Sequence, residues 1–160
     1  AMADEIVDTS DLTVHELRKV FQSLSADRRK HARLVLTFES FGFKHGLPLG
    51  ADLVFDVRFL PNPHFVPALK PQTGRDGAVA RYLTRQPATL QFLKRLTGFL
   101  TYLVPQYVAE GKSYLTVAIG CTGGRHRSVY IAEALRRELR ALPRVTTRVR
   151  HRDIGREGRP

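Results

Sequence analysis

The chain has 160 residues and 18.1 kDa, room for one globular domain rather than two, with 42% hydrophobic and 26% charged residues. That composition excludes wholesale disorder, and no apolar run approaches the roughly 18 to 20 residues of a membrane span. A formal charge of +11 and a pI near 10.5 point towards a polyanionic partner.

The excess charge is concentrated. From Arg125 to Pro160 there are eleven arginines and no lysine against Glu133, Glu138, Asp153 and Glu157, a net +7. Nucleic acid or a phosphorylated ligand fits that asymmetry, and a solubilising tail is the plainer alternative. A single cysteine, Cys121, excludes an internal disulfide and a multi-cysteine zinc site. The six histidines show no ligand spacing with it, so no metal and no cofactor are expected. The N-terminus lacks a charged-then-apolar signal pattern, and a reducing cytoplasm is the expected location.

In chain order, residues 1–12 read as a tag scar and the remnant of an interdomain join, with a strand end at Glu5–Asp8. Thr13-Val-His-Glu16 is a capping box that predicts a helix over Thr13–Leu24. Arg33–Phe38 reads as a mostly buried strand, and Asp52–Leu60 as a second with alternating polarity. Pro61, Pro63 and Pro67 open a long irregular stretch running to Gly77, the kind of loop that usually carries function. Helical spacing resumes near Ala78 and again through Leu90, Leu93, Leu96, Leu100 and Leu103, with Pro105 expected to kink or end the helix. Ser113–Gly120 is a buried strand, His126–Ala141 an amphipathic helix, and Val145–Val149 a last strand. Strands alternating with helices predict an α/β fold, a three-layer sandwich around a largely parallel sheet. The domain is expected over 13–154, with 155–160 a flexible basic tail.

The sharpest chemical signal is VAIGCTGGRHRS (117–128), a buried strand running through glycines into a helix. Loop amides and a helix N-terminus then converge on one point and offer fixed positive charge to an anion. Gly123 and Gly124 allow close backbone approach, and Arg125, His126 and Arg127 add donors. Cys121, Arg127 and Ser128 also satisfy the C-x5-R-[S/T] spacing of cysteine-dependent phosphatases, in which a thiolate attacks phosphorus. A Walker A pattern is absent from the chain. Two further loops open on the same edge if their strands are parallel. The first brings Lys44 and His45, and the second brings Arg58, Asn62 and, for a hydroxyl or amine, Asp56.

Together, SFGFKHG (40–46), DVRFLPNPH (56–64) and SYLTVAIGCTGGRHRSVYIAEAL (113–135) resemble the C-terminal domain of the RapZ (YvcJ) family of RNase adapter proteins, over roughly Ile6 to Ile154. The resemblance implies a fold similar to the substrate-binding subdomain of phosphofructokinase, and a P-loop domain preceding this one. It also implies a non-catalytic regulatory role: binding small RNAs, presenting one to an RNase E-type endonuclease, sensing glucosamine-6-phosphate, and assembling into homo-oligomers. Carried over by position, the sugar-phosphate pocket falls on Lys44, His45, Arg58, Asn62 and Cys121, Thr122, Gly123, Gly124, Arg125, His126, Arg127 and Ser128. RNA falls on Arg136, Arg137, Arg140, Arg148, Arg150 and Arg152. The Arg-rich, Lys-free end departs from the familiar members. Two competing readings stand beside this one: a cysteine-dependent phosphatase using the 121–128 loop, and a protein-interaction domain whose loop holds only an adventitious anion.

Overall fold

The computed structural model describes Thr9, residues 12–14, Glu16, Leu17 and the continuous span 33–156. The chain divides into two compact units, 1–32 and 33–160. In the first, the capping box is formed: Thr13 N–H donates to Glu16 Oε2 at 2.9 Å and Glu16 N–H to Thr13 Oγ1 at 3.3 Å. The rest of the expected 13–24 helix and the strand end at 5–8 lie outside the described residues.

In the second unit, β1 (Leu34–Gly42), β2 (Leu53–Asp56), β3 (Tyr114–Cys121) and β4 (Val145–His151) form one sheet in the order β2-β3-β1-β4, every pair parallel. Three helices flank it, α1 (Gly77–Thr84), α2 (Pro87–Glu110) and α3 (Arg127–Leu139), in the α/β arrangement that the alternating pattern predicts. Strand alternation decides which side chains meet them. Leu34, Leu36 and Phe38 of β1 and Leu115, Val117 and Ile119 of β3 pack with Ile131, Leu135 and Leu139 of α3 in one apolar cluster.

Three boundaries differ from the sequence reading by more than two residues. β1 runs on to Gly42 because Glu39, Ser40 and Phe41 keep parallel partners in β3, and the first two also in β4. β2 stops at Asp56, although alternation continues to Leu60. The Asp56 carboxylate accepts the Arg58 N–H at 2.8 Å, and Leu60 N–H turns back to the Val57 carbonyl at 3.2 Å. Periodicity cannot see that side-chain turn. α2 passes through Pro105 and ends at Gly111, φ +94°. Pro105 is exposed, so the carbonyl it leaves without an amide partner can be met by water. Buried Leu96, Leu100 and Val104 hold the helix across it. Restoring the missing N–H in Pro105→Ala is expected to stabilise the unit by about 1–3 kcal/mol, read as a rise in thermal midpoint.

Candidate anion site at the switch point

Because all four strands are parallel, the loops after β1, β2 and β3 leave from one edge. The order β2-β3-β1-β4 makes β1 and β3 the central pair. The chain leaves β1 towards β2 and leaves β3 towards β4, so a crevice opens between their ends, the usual ligand position in such sheets. There lies a cavity of about 430 Å³ lined by Lys44, Asn62, His64, Phe65, Cys121, Thr122, Gly123, Arg125, His126 and Arg127. Among the described residues, its walls hold no carboxylate.

The floor follows from two features of local sequence. Gly124 turns the chain at φ +76°, and a Cβ there would stand 2.6 Å from Gly42 N. Loop and β1 end therefore touch backbone to backbone, which only glycine permits. The turn points Gly124 N–H at Cys121 Sγ, 3.3 Å away, and Ser128 Oγ lies 3.2 Å from the same sulfur. Gly124 and Ser128 thus lie beneath the pocket rather than on its wall.

Arg127, the first residue of α3, is 5% exposed. Its Nη1 donates to the carbonyls of Arg58 at 2.6 Å and Leu60 at 3.0 Å, and Nη2 to Thr122 Oγ1 at 3.3 Å. Its Nε is buried with no hydrogen-bond partner. Burial lowers its pKa, although a guanidinium stays charged. A buried, incompletely satisfied cation on a pocket wall is what an anion site requires. His126 Nε2 lies 3.2 Å from the Leu69 carbonyl, which can only accept, so that nitrogen carries the proton. Arg125 reaches the carbonyls of Pro71 and Gln72, tying the long 61–76 loop to the helix start.

Of the other expected residues, Lys44 and Asn62 line the cavity, while His45 and Arg58 do not. Arg58 pairs with Asp56 at 2.7 Å and lies 4.1 Å over the Phe43 ring, so the site receives its carbonyl rather than its guanidinium. His45 Nε2 is buried with no hydrogen-bond partner, and the residue's charge acts on Asp153. Sequence reasoning passed over His64 and Phe65. The signal was present in Asn62-Pro63-His64, where Asn62 Oδ1 accepts the His64 N–H at 3.2 Å and caps a short 3-10 turn.

The arginines expected to meet RNA fall into three settings. Arg136, Arg137 and Arg140 project from the end of α3, Arg136 paired with Glu133 at 3.3 Å. Arg148 and Arg150 stand on the opposite face of β4 from Val149, and Arg150 meets buried Glu39 at 2.6 Å. Arg152 is folded into the loops behind the pocket.

The profile of the family described as RapZ C-terminal domain matches residues 34–155. The chain belongs to that family. Curated relatives include proteins named nucleotide-binding protein from Acidobacterium capsulatum (52% identical over 97% of this chain and 50% of the relative), Rubrobacter xylanophilus (52% over 95% and 50%) and Parafrankia sp. (53% over 97% and 53%). This RapZ-family chain therefore spans about half the length of the curated relatives it matches. Among the described residues, no helix is long and apolar enough to cross a membrane and no group of three metal-ligating side chains occurs.

One acid-sensitive element sits behind the site. Asp153 is fully buried; burial would raise its pKa, but hydrogen bonds from Arg152 and Gly42 N–H, with the charges of Arg152 and His45, hold it below the usual aspartate value. A lowered folded pKa stabilises above the unfolded value of about 3.9 and loses that stabilisation as pH falls through the folded one. Acid unfolding below about pH 4 is therefore expected to be less steep in Asp153→Asn, measured by denaturant titration across pH.

Proposed function

We propose that this chain is a non-catalytic regulatory module that binds an amino-sugar phosphate, glucosamine-6-phosphate in class, and carries RNA on its arginine-rich end. The observation that supports the pocket reading is the meeting of Lys44, His64, Arg125, His126 and Arg127 around a glycine turn at the start of α3, in a cavity of about 430 Å³, roomy enough for a hexose phosphate. The phosphate goes to the 122–127 loop, Arg127 and Lys44, and Asn62 and His64 are placed for sugar hydroxyls or the amine. RNA phosphates go to Arg136, Arg137, Arg140, Arg148 and Arg150, supported by the net +7 of the last 36 residues. In its cellular setting the module presents RNA to an RNase E-type endonuclease as part of a homo-oligomer.

Calorimetry with glucosamine-6-phosphate, glucosamine and inorganic phosphate tests the pocket. The sugar phosphate is expected to bind tightest, and equal affinity for all three sinks the sensing role. Titration of a structured RNA over a salt series tests the other half. Affinity is expected to fall steeply with salt, and Arg148→Ala with Arg150→Ala to flatten the slope by roughly 0.7 per lost contact.

A second reading is favoured by one contact set. Gly124 N–H and the Ser128 hydroxyl converge on Cys121 Sγ at the end of β3, six residues before Arg127, as a thiolate nucleophile would need. Hydrolysis of an aryl phosphate that disappears in Cys121→Ser would establish it, and no turnover by the parent protein ends it.

A further inference from the structure

The turn that delivers Lys44 is held from behind by two residues of the C-terminal segment. Phe43–His45 forms a single 3-10 turn after β1, and Gly46 follows at φ +79°. At its entry, Asp153 Oδ2 accepts the Gly42 N–H at 2.8 Å. At its exit, Arg152 Nη2 donates to the Gly46 carbonyl at 2.7 Å, with the carbonyls of Gly42 and His45 at 3.3 and 3.4 Å. The two side chains are joined, Arg152 Nε and Nη2 lying 3.0 and 2.8 Å from Asp153 Oδ2. The same carboxylate residue backs the phosphate loop, since a Cβ on Gly124 would stand 2.9 Å from Asp153 Cβ. Lys44 N–H completes the circuit to the Thr122 carbonyl at 3.2 Å. Arg152 N–H meets Ser40 O at 3.0 Å, so the backbone of the dipeptide is fixed as well.

We propose that Arg152 and Asp153 are positioning residues of the anion pocket, setting the Lys44 turn against the Gly123–Gly124 loop, and that Arg152 is not part of the polyanion surface. The charge pattern alone groups Arg152 with Arg148 and Arg150, and the structure gives it a different task. A single nitrogen, Nη2, meets all three carbonyls while Nε and Nη2 together grip Asp153 Oδ2, so a lysine ammonium replaces the Nη2 contacts but not the Nε contact that ties them to the carboxylate. Asp153 carries no exposed surface and so cannot touch a ligand or an RNA. Its effect on binding is exerted through Gly42 and Gly124. The inference rests on the pocket being a phosphate site, and its test is arranged to separate the two.

Arg152→Ala, Arg152→Lys and Asp153→Asn are compared with the parent, with Arg148→Ala as a surface control and Val104→Ala as a remote destabilised control. Glucosamine-6-phosphate affinity by calorimetry and RNA affinity at fixed salt are both measured. Arg152→Ala is expected to weaken the sugar phosphate at least tenfold, Arg152→Lys by less, and both to leave RNA within twofold. Arg148→Ala is expected to do the converse, and Val104→Ala to lower the thermal midpoint without changing either affinity. Full ligand affinity or an RNA-only defect in Arg152→Ala overturns the inference. If the parent binds neither the sugar phosphate nor inorganic phosphate, the pocket reading fails by itself. The clasp is then decided by amide chemical shifts and hydrogen exchange of Lys44 and Thr122–Gly124, which must change in Arg152→Ala for it to stand.

Discussion

Arg127→Ala is expected to abolish phosphate binding, by more than 100-fold, and to lower stability at the same time. The affinity loss follows from removing a charged donor that is 5% exposed on the pocket wall, where water screens little of its field. The stability loss follows from the Arg58 and Leu60 carbonyls, each left without its guanidinium donor. An unsatisfied buried acceptor costs about 1–3 kcal/mol. Arg127→Lys separates the two effects poorly by charge and well by shape, because an ammonium in the Nη1 position meets the two carbonyls and leaves no donor where Nη2 and Nε stand. It is expected to retain part of the stability and little of the binding. Calorimetry with inorganic phosphate and thermal unfolding of the three proteins give the readout. Unchanged phosphate affinity in Arg127→Ala would remove Arg127 from the site.

Gly74→Ala is expected to be the most damaging single-methyl change in the unit. Gly74 N–H donates to the Arg125 carbonyl at 2.9 Å, pressing the long loop onto the first turn of α3. A Cβ there would collide with the His126 carbonyl oxygen and stand 2.5 Å from Tyr130 N and 2.8 Å from Val129 Cβ. Two of those atoms are helix backbone and cannot rotate away. Relief requires moving the loop or the helix start, an overpacking cost of about 3 kcal/mol, near 10 °C in thermal midpoint for a chain of this size. Since that helix start supplies Arg127 and the loop amides, phosphate affinity is expected to fall with it. A denaturant titration showing a loss below about 1 kcal/mol would contradict the close packing.

How far the sequence could be read depended on which forces were local. The strand-glycine-helix run at 117–128 was legible because buried β3, the glycine pair and the amphipathic face of α3 each leave a periodic or compositional mark. The parallel sheet followed from alternation, and with it the common edge that carries Lys44 and Asn62 to the same cavity. Arg58 and His45 show where legibility stops. Both belong to recognisable motifs, yet Asp56 captures the Arg58 guanidinium two residues away, and the turn after Gly42 sets His45 near Asp153 and outside the cavity lining. Gly74 carried no mark of its contact with α3, more than fifty positions later in the chain. Arg152 read as one more positive charge because the three carbonyls that engage it lie 106 to 110 positions away in sequence.

The borders of the sheet constrain how copies of this chain can associate. β2 offers four residues at one border, and at the other Arg148 and Arg150 alternate with neutral neighbours along β4. A twofold partner that extended the sheet by pairing β4 with itself would set guanidinium rows about 5 Å apart, a like-charge ladder, while Glu39 is already engaged by Arg150. The alternating arginines of β4 thus act as a charged border that works against strand-to-strand continuation of the sheet, a guard against runaway fibrous growth.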